Sequence, residues 1–180
     1  MRGDDFLAAL GAWQAARRQR YGALTFYPPA PAWCLPDLPV TRLGAFPAEV
    51  AFPTTDNRVK WWGAFGTVTP ALPEGLGPVT LTLYTPLGEE RPAQAFLPFR
   101  DGTAAAKTYP LGRYLDVPLT WPPEASGEPP TALLDFNRAY QPACAYEDGM
   151  SCPFPPPQHQ LAGRVRAGER LAEDLSHFQE

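Results

Sequence analysis

Proline and glycine decide most of what this sequence can fold into. The chain has 24 prolines and 15 glycines in 180 residues, and the first proline is Pro28. Proline lacks an amide donor and its ring clashes with the preceding helical turn, so this density excludes a helical bundle and favours short strands joined by tight turns. A length of 180 residues suits a single domain, 1–180, with a sizeable core.

The pattern along the chain divides that domain into four parts. Residues 4–21 place Phe6, Leu10, Trp13 and Arg17 at helical spacing, with Asp4 and Asp5 at the start and Arg17, Arg18 and Arg20 at the end, which predicts an amphipathic helix of favourable dipole. Residues 22–47 read as a proline-rich connector, with five prolines between Tyr27 and Pro39, extended and lying on the surface. Residues 48–168 form a β body: Val50 with Phe52, Trp61 to Thr69, Val79 to Leu83, Ala93 to Phe99, Arg113 to Val117, Leu133 to Phe136 and Arg164 to Arg166 all read as strands. Glu89 and Glu90 suit a hairpin tip, and the Pro- and Gly-rich stretch 118–131 an excursion between strands. Residues 169–178 predict a short final helix with Leu171, Leu175 and Phe178 on one side. The spacing leaves no room for crossover helices, so the fold class is mainly β. The expected form is an antiparallel barrel or roll of about six to seven strands with an N-terminal helix and a short C-terminal helix.

Charge and segment composition narrow the partners. A net charge of −4 offers no footprint for nucleic acid. No stretch approaches the roughly 18 apolar residues of a membrane span, and the N-terminus lacks a secretory pattern, so a cytoplasmic location is expected. The 13 arginines against Lys60 and Lys107 reflect either a biased genome or a use for planar bidentate donors. Three cysteines, Cys34, Cys144 and Cys152, are too few for a disulfide-dense scaffold. Their default is the reduced thiol, with one bridge open to them in an oxidising compartment.

Two segments could carry chemistry. Phe99 to Asp116 holds Arg100, Asp101, Thr103, Tyr109, Arg113 and Tyr114; on neighbouring strands Arg100 and Arg113 would form a fork for a carboxylate or phosphate, or else pair internally with aspartates. Asp135 to Tyr146, followed by Cys152 and the prolines 153 and 155–157, is a strand leaving into a proline-fixed loop, where binding groups concentrate. Cys144 as a nucleophile needs a base such as His159. The alternatives are a disulfide across the loop or two small buried thiols. Metal binding is not expected, because Cys144 and Cys152 lack the spacing of zinc motifs and only His159 and His177 are present as imidazoles. Ser126, Ser151 and Ser176 stand outside any nucleophile elbow, and Gly63 to Gly66 lies in a strand pattern with no following helix, so neither a serine hydrolase nor a phosphate loop is indicated. No cofactor is implied. Trp61 and Trp62 alternate across a strand, one toward the core and the other toward a cavity or the helix, unless both are taken up in packing.

The motifs Phe99-Arg100-Asp101-Gly102-Thr103, Thr108-Tyr109, Gly112-Arg113-Tyr114-Leu115-Asp116, Asp135-Phe136-Asn137-Arg138-Ala139-Tyr140, Pro142-Ala143-Cys144-Ala145-Tyr146, Cys152-Pro153 with the prolines 155–157, and Ala167-Gly168-Glu169-Arg170 closely resemble the bacterial and archaeal family called domain of unknown function 1684. The likeness extends more weakly to Trp13, Arg17 and Arg18. It implies a site without naming a reaction, at Arg100, Asp101, Thr103, Tyr109, Arg113, Tyr114, Asp135, Asn137, Tyr140, Cys144, Cys152 and Glu169. The chain departs from the pattern at Ala104-Ala105, where the family usually has Ser-Gly, and at His159, where it usually has Asn. These substitutions stiffen a turn and replace an amide by a titratable ring.

Three functions are open to such a chain. The first is a β domain binding a small anionic molecule or peptide through Arg100, Arg113, Tyr109, Tyr114, Asn137 and Tyr140. The second is an enzyme using Cys144 with His159 or an acid. In the third, these residues are structural and hold one end of the barrel shut. The oligomeric state is not indicated by the sequence.

Overall fold

In the computed structural model, which describes residues 3–172, the chain opens with helix α1, Gly3–Tyr21. Phe6 and Leu10 are its buried residues, as the spacing predicts, with Asp4 and Asp5 in the first turn and Arg18 and Arg20 in the last. The strands that follow are β1 (Cys34–Pro39), β2 (Thr41–Arg42), β3 (Ala48–Pro53), β4 (Val59–Val68), β5 (Leu81–Thr85), β6 (Gln94–Phe99), β7 (Arg113–Thr120) and β8 (Thr131–Asp135). They form one sheet in the order β1-β8-β7-β6-β5-β4-β2, with β3 also paired to β4, and every pairing in it is antiparallel.

The sheet curls almost shut because β2 continues β1 past Val40. One stretch of chain therefore pairs with β8 at one edge and with β4 at the other, giving a nearly closed barrel of seven strands when β1 and β2 are counted together. Closure requires close backbone approach at Gly66, where a Cβ would stand 2.6 Å from Val40 Cγ1 and 2.8 Å from the Thr41 carbonyl oxygen. The register of β4 against β5 shifts at the same place, the kind of irregularity that bends a strand round a barrel. Leu81, Leu83, Leu97, Phe99, Leu115, Val117, Leu134 and Phe136 fill the interior, all at or below 1% exposure.

Three sequence expectations change. The segment 22–47 is not only a surface connector: it carries the closing strand and buries Trp33 against Phe136. Arg164 to Arg166 is not part of a strand, because the Val165 amide bonds to the Asp101 carboxylate instead of a neighbouring backbone. Glu169–Arg170, the start of the expected final helix, pairs antiparallel with Thr25–Phe26; the rest of that helix, from residue 173, lies outside the described residues.

Candidate functional site

The residues singled out in the sequence separate into a buried scaffold and an open cleft. Arg113 and Asp101 form the centre of the scaffold. Arg113 pairs across the sheet with Phe99, and cross-strand partners share a face, so its side chain enters the barrel end and is fully buried. Its Nη2 lies 3.3 Å from Asp101 Oδ1 and donates to the Val165 carbonyl at 2.8 Å, while Nη1 donates to the carbonyls of Ala167 and Glu169. Asp101 also accepts from the amides of Val165 and Thr103 and from the Thr103 hydroxyl. Arg100, one residue beyond Phe99, faces the other way, is exposed, and donates to Pro110 and Gln160. The expected fork of Arg100 and Arg113 is therefore not formed.

Asn137 is a clamp between chain segments. Its Oδ1 accepts from the Ala30 amide at 2.7 Å, and its Nδ2 donates to the Ala30 carbonyl and to Asp135 Oδ1. Glu169, also fully buried, joins α1 to the barrel: it accepts from Arg17 Nε, the Gln141 amide and the Tyr146 hydroxyl. The Tyr109 amide donates to Gln141 Oε1. A deletion in either group would strand buried polar partners, which makes them structural in effect.

Cys144 and His159 do not meet as nucleophile and base. Cys144 is bonded to Cys152, with their Cα atoms 6.6 Å apart. The buried His159 uses both ring nitrogens on backbone: Nε2 accepts from the Thr82 amide at 3.0 Å, so Nδ1 carries the proton and donates to the Pro98 carbonyl at 2.7 Å. Burial lowers its pKa, opposed by the bond to Pro98. Cys34, a free half-buried thiol, has its pKa raised by burial. Among the described residues, no three His, Cys, Asp or Glu side chains gather in a metal-holding arrangement.

The other departure from the resembled pattern is visible as backbone geometry. Ala105 sits at φ +65°, a left-handed conformation that costs an L residue energy and that glycine adopts freely. Ala105→Gly is expected to raise stability by up to about 1 kcal/mol, the released strain exceeding the entropy that glycine adds to the unfolded chain. Chemical denaturation checks it, and a loss of stability would contradict it.

The cleft lies on the outer face of the barrel, under the end of α1 and against the loop that holds Cys152. Its volume is 560 Å³, within the range of small-molecule sites. Trp62 stacks on Phe96 at 4.8 Å, Tyr114 stands edge-on to Phe96 at 4.9 Å, and Tyr140 edge-on to Tyr114. The chain of rings forms an aromatic wall. The Tyr114 hydroxyl donates to the Pro153 carbonyl and that of Tyr140 to Asp116 at 2.9 Å. Burial raises the pKa of both phenols, so they remain neutral donors.

Two cations reach the cleft. Lys60 donates to the Ser151 carbonyl, and Arg17 lies 4.8 Å above the Tyr140 ring and 4.7 Å from that of Tyr21. Arg17 Nε is taken by Glu169, but its Nη2 is buried with no hydrogen-bond partner. Of the residues predicted for the site, Tyr114, Tyr140 and Cys152 line the cleft. Arg17 enters it although the sequence marked it only for helix spacing and resemblance. Trp62 was foreshadowed by strand alternation, and its neighbour Trp61 is exposed. Lys60 carries no signal in the sequence, and Gln141 none beyond its place in the segment from Asp135 to Tyr146, because their placement depends on which strands and loops become neighbours.

The model of the family described as protein of unknown function (DUF1684) matches residues 19–170. The chain belongs to the DUF1684 family. Both departures at the Ala104-Ala105 turn and at His159 fall inside the matched DUF1684 region. Among solved structures the chain is similar to the uncharacterised protein from gene locus rrnAC0354 of Haloarcula marismortui, a solution NMR structure. That likeness has 27% identity and a TM-score of 0.71, and covers 95% of this chain and 97% of the other. No curated protein matches this DUF1684 chain.

Proposed function

We propose that this protein binds a small molecule with an apolar or aromatic body and an acidic group in the cleft beneath α1. The observation that carries this reading is Arg17: a guanidinium at the cleft, held by Glu169 and by two aromatic rings, retains a buried nitrogen without a partner. A buried unpaired donor costs free energy, which an anionic oxygen would recover. The wall of Trp62, Phe96, Tyr114 and Tyr140 supplies the apolar contact. In this reading Arg113 and Asn137, expected to bind ligand, instead hold the barrel end and the connector.

Indole-3-acetate and octanoate, titrated into the isotopically labelled protein, are expected to move the indole N–H resonance that Trp62→Phe removes. Either should also raise the melting temperature, since a ligand that binds only the folded state at about 100 times its Kd adds about 2.7 kcal/mol. Trp62→Ala should abolish the effect and Arg17→Gln weaken it roughly tenfold. If neither acid shifts that resonance or the melting temperature, the cleft is not such a site.

A further inference from the structure

A second hollow, of 330 Å³, lies beyond the barrel-end scaffold and has a different chemistry. Its wall carries Lys107, Arg164, Arg166 and Arg170 together with Tyr27 and Thr103, and among the described residues it includes no carboxylate. Four of the chain's 15 lysines and arginines thus converge on one small concavity in a protein of net charge −4.

The convergence is built by the backbone. The Val165 amide, bound to Asp101 at 2.7 Å, pins residues 164–166, and Val165 is wholly buried. In an extended segment the residues on either side of an inward one both point outward, so Arg164 and Arg166 share a face. The Gly102 amide donates to the Gly163 carbonyl at 2.7 Å, and a Cβ on Gly102 would stand 3.0 Å from Arg164 Cγ, so the stem of Arg164 lies against that loop. Lys107 comes from the same loop. Its carbonyl accepts from the Leu171 amide at 2.8 Å, which ties the loop to the Glu169–Arg170 strand that brings in Arg170. The Tyr27 amide bonds to the Gly168 carbonyl and holds the fourth side of the hollow. Lys107, Arg164 and Arg166 make no ion pair among the described residues. Asp101, the acid beneath them, is already committed to Arg113.

Like charges held together repel, and a ligand that relieves the repulsion must bring more than one negative charge into a space of this size. Arginine pairs present planar donors matched to phosphoryl oxygens, with lysine adding a point charge. We propose that this hollow binds a phosphate-bearing small molecule through Arg164, Arg166 and Lys107, independently of the aromatic cleft.

Inorganic pyrophosphate, titrated calorimetrically into the full chain at low ionic strength, is the test. The acids Glu173 and Asp174 follow Arg170 closely in the sequence, so only the full chain presents any competition they offer. Pyrophosphate is expected to bind more tightly than orthophosphate and to weaken steeply with added salt. The double variant Arg164→Gln, Arg166→Gln should lose affinity by roughly tenfold or more. Both side chains are exposed, so that variant should keep the wild-type melting temperature without ligand, and Trp62→Ala should bind pyrophosphate as the wild type does. The proposal is overturned if pyrophosphate does not bind at millimolar concentration, or if it binds the folded double variant with unchanged affinity.

Discussion

Arg113→Met is expected to lower the free energy of unfolding by about 3–5 kcal/mol, the cost of removing one partner of a buried ion pair. The substitution keeps an unbranched apolar stem over Phe99, whose ring centre lies 5.4 Å from the guanidinium, so little packing is lost. What is lost is compensation. Asp101, with 1% side-chain exposure, would keep two amides and a hydroxyl but lose its cation, and the carbonyls of Val165, Ala167 and Glu169 would lose their shared donor. Asp101→Asn alone should also destabilise. The two together should cost less than the sum, because each single change leaves the other group unpaired. Urea unfolding of the three variants measures this coupling. A loss below about 1 kcal/mol for Arg113→Met would mean that water reaches the barrel end and that the pair is not the brace described above.

That pair also shows how far the sequence could be read. Period-two alternation located β3, β4 and β5, while bounding glycines and prolines located β6, β7 and β8, of which β6 buries Ala95 to Phe99 on both faces. β1 escaped because Pro36 and Pro39 argue against a strand. It tolerates them because Cys34–Pro39 pairs only with β8, and with a shift of register beside Asp37, whose φ is +53°. The fork failed for a reason of parity. Arg113 lies opposite Phe99, so Arg100, its next neighbour, had to face away, and only the register of β6 against β7 reveals this. Most of the motif residues interact with one another and with backbone. A polar cluster satisfied from within and one that awaits a ligand have the same composition. They are told apart by whether an unpaired atom stands beside open space, as Arg17 Nη2 does at the cleft, or is enclosed, as the equally unpaired Nε of Arg113 is, and that depends on long-range packing.

His159 should make the protein sensitive to acid. Its folded pKa lies below the ordinary 6.5 because burial disfavours the charged ring, with the bond to Pro98 working the other way. The unfolded chain therefore binds the proton first. Above about pH 6.5 the full stability is present, and as pH falls from there towards the folded pKa, stability drops by about 1.4 kcal/mol per pH unit. Protonation also has a structural consequence, since Nε2 accepts from the Thr82 amide and a proton there would set two donors against each other. His159→Gln should flatten this stretch of the stability profile, because an amide can accept and donate without titrating. His159→Ala should instead cost about 2–4 kcal/mol at neutral pH, from two lost hydrogen bonds and a cavity beside Tyr84. Denaturant midpoints measured from pH 7.5 to 5 separate the two effects. If the profile of His159→Gln falls as steeply as the wild type, the acid sensitivity belongs to other groups. If it flattens, the His159 ring is a proton-linked weakness at the junction of β5 and β6.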